Sequence, residues 1–215
     1  MTDVVKLSDS MPARTRRRYT TRLPRAERRE QLLDVALRLI AERGFRGLSM
    51  EAVARDAEIA KTVVYDLFPN QEQLLTALLE REQKRVLATI VEAMPTLPLS
   101  GDPAEILAGS VRKVLEAVRA HPDTWRLMLL PADGHPPAVR AEVTRHRERL
   151  VRQVEPMAEW GAARLGLGGL DPELVAHLLI AGAEDAIRLT LTHPRRFPPE
   201  RLAGFIVDLL RAAAK

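Results

Sequence analysis

The chain has 215 residues, 46% hydrophobic and 29% charged, which is enough to bury a real core in one large domain or two small ones and too apolar for disorder throughout. It contains no cysteine, so disulfides and thiolate metal sites are excluded and a reducing interior suits it. No apolar run reaches membrane-spanning length and the N-terminus lacks the apolar core of a signal peptide, so a cytoplasmic location is expected.

The net charge of +4 is unevenly placed. Residues 1–30 hold nine Lys or Arg against four Asp or Glu, a net of +5, and the remainder sums to −1. Arg14, Arg16, Arg17, Arg18, Arg22 and Arg25 lie among Pro12 and Pro24 with no apolar period. Residues 1–24 therefore read as a flexible basic arm. Arg17, Arg18 and Arg22 are candidate contacts to phosphates or a minor groove; the plainer alternative is a solvated tail.

A first helix is expected from Arg25 to Arg43, with Leu32, Val35, Ala36, Leu39 and Ile40 on one face and Gly44 as its stop. Phe45 and Leu48 should plug a three-helix core, met by Tyr65 and Phe68. Ser49 is a good N-cap for a short helix carrying Met50, Val53 and Ala54. A second short helix begins near Ile59 or Ala60, carries Val63, Val64, Tyr65 and Phe68, and ends at Pro69-Asn70. Two short helices joined by a tight turn form a helix-turn-helix, whose second helix can enter a DNA major groove. Lys61 and Thr62 stand at the exposed start of that helix.

The run Glu42-Arg43-Gly44-Phe45, Leu48-Ser49-Met50, Val53-Ala54, Ile59, Lys61, Tyr65, Phe68-Pro69-Asn70, Glu72 and Leu74-Leu75 resembles the DNA-binding domain of TetR-type (tetracycline-repressor-like) transcriptional regulators over roughly residues 27–80. The resemblance implies an all-α protein: a helix-turn-helix domain over residues 25–70, then a helical effector-binding and dimerisation domain over 71–215. It also implies DNA contacts from Ser49, Lys61, Thr62, Val63, Tyr65 and Gln71, with the Tyr65 hydroxyl on a phosphate; the plain alternative for Tyr65 is a core aromatic.

Five positions depart from the family pattern. Glu58 replaces the usual turn glycine, so the turn is expected to be built differently, because a left-handed conformation disfavours glutamate. Ala60 stands where a serine often caps the recognition helix, so a cap hydrogen bond is expected to be missing. Asp66 and Leu67 follow the tyrosine; Asp66 would repel phosphate or accept from cytosine N4. Gln71 replaces a lysine that in the family touches phosphate.

A long helix follows from Asn70, its N-cap, to about Ala93, with Gln73 completing a capping box. Met94 to Asp102 is a break. Helices are expected over Pro103–His121 and from Pro122, the latter with Trp125, Met128 and Leu129. Pro131 to Pro137 reads as a loop. The next helix starts at Ala138 with an inward face of Val139, Val143, His146, Leu150 and Val154. Pro156 should kink or break it, having no amide and clashing with the Arg152 carbonyl. The last helices span Pro172–Thr192 and Pro199–Ala214. Ala181, Gly182, Ala183 and Ala186 allow close approach, and in the family the final two helices pair with their copies in a dimer.

The family also places an effector pocket in the second domain. Candidate lining residues are Trp125, Met128, His146, Trp160, His177 and Glu184; each also reads as core or as a solvated charge. No nucleophile motif, phosphate loop or metal-ligand spacing is present, so catalytic, metal and cofactor roles have no candidates. The reading is a homodimeric repressor of a palindromic DNA operator, released by a small-molecule effector. The alternative is a helical ligand-binding or interaction dimer that has lost sequence-specific DNA reading.

Overall fold

The computed structural model describes residues 23–96, 98–129 and 137–215. The arm with Arg17, Arg18 and Arg22, and nearly all of the expected loop at 131–137, lie outside the described residues, as do the Val139 and Val143 side chains. Regular structure among the described residues is helical: α1 (Arg25–Arg43), a 3-10 turn (Phe45–Gly47), α2 (Met50–Asp56), α3 (Lys61–Leu67), α4 (Gln71–Ala93), α5 (Pro103–Ala120), α6 (Pro122–Leu129), α7 (Pro137–Arg164), α8 (Pro172–Thr192) and α9 (Pro199–Ala213).

Local chemistry sets these boundaries. Gly44 ends α1 at a φ of 69°, a value open to glycine at no cost. The Asn70 side chain accepts from the Gln73 amide at 2.8 Å and starts α4. Two helices open on an aspartate followed by proline: Asp102 caps the Ala104 amide at 2.9 Å, and Asp171 caps the Glu173 and Leu174 amides at 2.9 and 3.3 Å. Proline at the first helical position gives up an amide that had no intrahelical acceptor to bond.

Pro156 neither breaks nor ends α7, which runs through it as one 28-residue helix. Pro156 and Arg152 are both exposed, so the proline lies on the solvated side of the helix. Of the expected kink or break, the break does not occur, and the proline is tolerated on the solvated side.

The main core of the head gathers Leu32, Leu33, Ala36 and Leu39 of α1, Val53 of α2, Val64 and Phe68 of the α3 segment, and Leu74, Leu78 and Leu79 of α4. Leu127 of α6 is buried in the same cluster; a buried leucine contributes roughly 1.5–3 kcal/mol. A second cluster joins Leu115 and Val118 of α5, Trp125 of α6, and Ala186, Ile187 and Leu191 of α8. Small residues let α5 and α9 approach closely through Ala104, Ala108, Ala203 and Val207. α7 packs on α8 through Val151, Ala158, Ala176 and Ile180.

Candidate nucleic-acid interface

Ser49 caps α2 by accepting from the Ala52 amide at 3.0 Å. Its own hydroxyl proton stays available to donate, so capping and a phosphate contact are compatible. The turn after α2 keeps the left-handed residue: Glu58 has a φ of 56°. The expectation that glutamate would force a different turn is overturned. Amides on either side hold the bend, with the Glu58 N–H on the Arg55 carbonyl at 3.1 Å and the Ile59 N–H on the Ala54 carbonyl at 3.0 Å. No side chain caps α3 behind Ala60, as the missing serine implies.

α3 is held by one face and open on the other. Val64 is fully buried and Phe68 nearly so. The Arg29 guanidinium lies 5.3 Å from the Phe68 ring centroid, and Arg25 donates to the Asp66 carbonyl at 3.1 Å. Lys61, Thr62 and Tyr65 are exposed and Val63 is half-buried. Tyr65, at 45% exposure, is not in the core beside Phe68. Helical geometry explains this correction: positions 64 and 68 share one face, while 61 and 65 share another. Gln71, the first residue of α4, and Asp66 are also exposed.

The Lys61 ammonium pairs with the Glu51 carboxylate across the turn. The hydrogen bond from Lys61 is the main reason Glu51 is held below the usual carboxylate range. Sequence reasoning missed Glu51, because the two residues sit ten positions apart on different helices and no local pattern joins them. A phosphate reaching Lys61 competes with this carboxylate.

The six candidate effector residues do not converge. Trp125 is in the second core cluster, and Met128 packs against the head core. Trp160 is stacked under Arg164 near the end of α7, with the guanidinium 5.6 Å from its centroid. His177 is exposed on α8. His146 Nδ1 lies 2.9 Å from Gln83 Nε2 of α4, and Arg147 donates to Glu184 of α8 at 3.0 Å. Of the set, then, only His146 and Glu184 lie at a shared seam, where α7 meets α4 and α8. Two recesses are open grooves: one of about 450 Å³ at the start of α4 lined by Asn70, Glu72, Gln73 and Glu80, and one on α1 lined by Leu23, Glu27, Glu30 and Asp34. Among the described residues, no helix is long and apolar enough to cross a membrane.

Residues 32–78, which run from within α1 through α2 and α3 to the first turns of α4, match the family described as bacterial regulatory proteins, tetR family. The chain is 28% identical over 174 residues to an uncharacterised HTH-type transcriptional regulator of Mycobacterium tuberculosis, covering 80% of this chain and 70% of that protein. It is 27% identical over 178 residues to the HTH-type transcriptional activator FasR of Mycolicibacterium smegmatis, covering 83% and 78%. A TetR-like transcriptional regulator from Rhodococcus sp. RHA1 superposes with a TM-score of 0.72 at 27% identity, over 90% of this chain and 99% of that one. The helix-turn-helix segment carries the tetR-family match, the helical domain behind it shares the same set of relatives, and the chain is similar along most of its length to TetR-like DNA-binding transcriptional regulators.

Proposed function

We propose that the protein is a homodimeric repressor that grips a palindromic operator with two copies of α3 and releases it when a small molecule binds the second domain. The observation that carries this reading is the division of α3, with Val64 and Phe68 locked into the head while Lys61, Thr62 and Tyr65 stand exposed. A recognition helix fixed in this way keeps its reading face in one orientation. In the proposed contact set Lys61 and Tyr65 meet phosphate, Thr62 and Val63 approach base edges, and Ser49 and Gln71 bond phosphate from the flanking helix starts.

One recognition helix reads few bases, so a second copy about 34 Å away is needed for specificity. The support for a dimer is the exposed apolar face of the last two helices. Leu174 and Leu178 on α8 and Phe205 and Leu209 on α9 are each more than half exposed. The division at residue 70 into head and helical domain, and a cytoplasmic location, belong to the same proposal. We put the effector beside the Gln83–His146 and Arg147–Glu184 pairs, one turn from the apolar residues Leu150 and Val151 of α7. It acts by its difference in affinity for the two head spacings.

The test is a fluorescence-anisotropy titration against the gene's own upstream DNA and scrambled DNA of equal length, at two salt concentrations. Preference for the upstream DNA that persists at the higher salt is expected, and the Lys61→Ala, Tyr65→Ala double variant should lose that preference. Equal binding to both DNAs that collapses with salt would overturn the reading, since counterion release alone gives that behaviour. Transcription from the same promoter, with and without protein, decides repression against activation.

A further inference from the structure

We propose that Arg81, Glu82 and Thr124 form a polar clasp that positions the DNA-reading head, with the Thr124 hydroxyl of α6 as its key. Glu82 of α4 has no exposed surface. A carboxylate so buried needs charged or hydroxyl donors, and it has three. The Thr124 hydroxyl donates to Oε2 at 2.6 Å, while Arg81 Nε and Arg85 Nη1 donate to Oε1 at 2.7 and 3.1 Å. Arg81, whose side chain is 11% exposed, continues the chain to the head. Its Nη1 reaches Asp34 Oδ1 at 2.8 Å and Glu30 Oε2 at 3.0 Å, both on α1. Burial by itself would lower the Arg81 pKa; the hydrogen bond to Glu30 and the contacts with Glu82 and Asp34 outweigh it and raise the group, so it stays charged. One unbroken polar path therefore runs from α6 through α4 to α1. Leu127, one turn beyond Thr124, anchors the same helix in the head core.

The path is asymmetric. Its α6 end is buried, while Glu30 and Asp34 at its α1 end are 50% and 62% exposed and can exchange Arg81 for water. Arg81 also holds a donor in reserve, because Nη2 is buried with no acceptor among the described residues. If α6 withdraws the Thr124 hydroxyl, Glu82 Oε2 loses its donor. Arg81 already holds Oε1 through Nε, and its unpartnered Nη2, on the same guanidinium, can then take Oε2 in a side-on bidentate pair. That rotation draws Nη1 away from Glu30 and Asp34 and frees α1. Arg81 is thus a positioning residue for the head, set by a hydroxyl on another helix.

The consequence for DNA affinity rests on the reading of the head given above, but the test does not. Hydrogen exchange is followed peptide by peptide in the full chain for Thr124→Val, which removes the hydroxyl at constant shape, and for Thr124→Ser, which restores it. Arg126→Gln on the same helix is the control. In Thr124→Val the amides of α1 to α3 should exchange about tenfold faster, the scale of one hydrogen bond to a buried charge, with α8 and α9 unchanged and serine restoring the rate. The Glu30→Gln, Asp34→Asn pair, on the exposed side of the clasp, should loosen the same peptides without touching the buried end. Acceleration spread over all helices, or none in α1 to α3 in either variant, would overturn the clasp.

Discussion

Glu58 holds a left-handed backbone that costs a non-glycine residue roughly 1–2 kcal/mol. Glycine there removes that cost but gives back about 0.4–1 kcal/mol through a more flexible unfolded chain. Glu58→Gly should therefore stabilise the protein by about 0.5–1 kcal/mol, seen as a rise of a few degrees in a thermal melt. Two residues into α2, Glu51 occupies the ammonium that the proposed DNA contact uses. Glu51→Gln frees Lys61 and removes a negative charge from the face that meets phosphate. Affinity for DNA should rise about two- to fivefold, the scale of one exposed ion pair, and anisotropy titrations of the two proteins at one salt concentration measure it.

At the scale of elements, α5 and α9 meet through alanines and are tied at one end by charge. Asp102 caps the Ala104 amide and pairs with Arg211 at 3.0 Å, while Arg211 also reaches Glu105 at 2.9 Å. The Arg211 hydrogen bond, then the Ala104 amide, hold the Asp102 carboxyl below the usual aspartate range. A carboxyl lowered in the folded state stabilises fully above its unfolded value and loses that contribution as pH falls through the folded value. Thermal melts of the native chain and Asp102→Asn should differ by a constant amount near neutral pH, and the gap should close on acidification below the ordinary aspartate range. A gap unchanged down to strong acid would show that the ion pair contributes nothing.

For the whole molecule, the apolar faces of α8 and α9 carry the argument for a second copy. Leu178 is 72% exposed and Phe205 61% exposed in the single chain, and the proposed dimer would cover this apolar surface. A Leu178→Glu, Phe205→Glu variant should run as a monomer by light scattering with its helical circular dichroism retained, and should lose the palindrome while keeping weak, salt-sensitive DNA binding. A dimer that survives both substitutions would place the contact elsewhere.

The sequence by itself determined the helices and the helix-turn-helix, because the signals that make them are local. Ser49, Asn70, Asp102 and Asp171 cap the helices they precede, Gly44 stops α1, and the apolar spacing of α1 is its buried face. The pattern of the head was equally legible, since its residues lie within one short stretch. Pairings between distant segments decided the rest. Tyr65 turned outward because Val64 and Phe68 filled the space against α1 and α4. Trp125 went to the core because α5 and α8 close over it. Neighbouring hydrogen bonds held Glu58 left-handed, and α7 ran on through Pro156 on its solvated side. The ion pair of Lys61 with Glu51 and the burial of Glu82 against Thr124 join residues 10 and 42 positions apart. No periodicity encodes such contacts; only packing one helix against another brings them together.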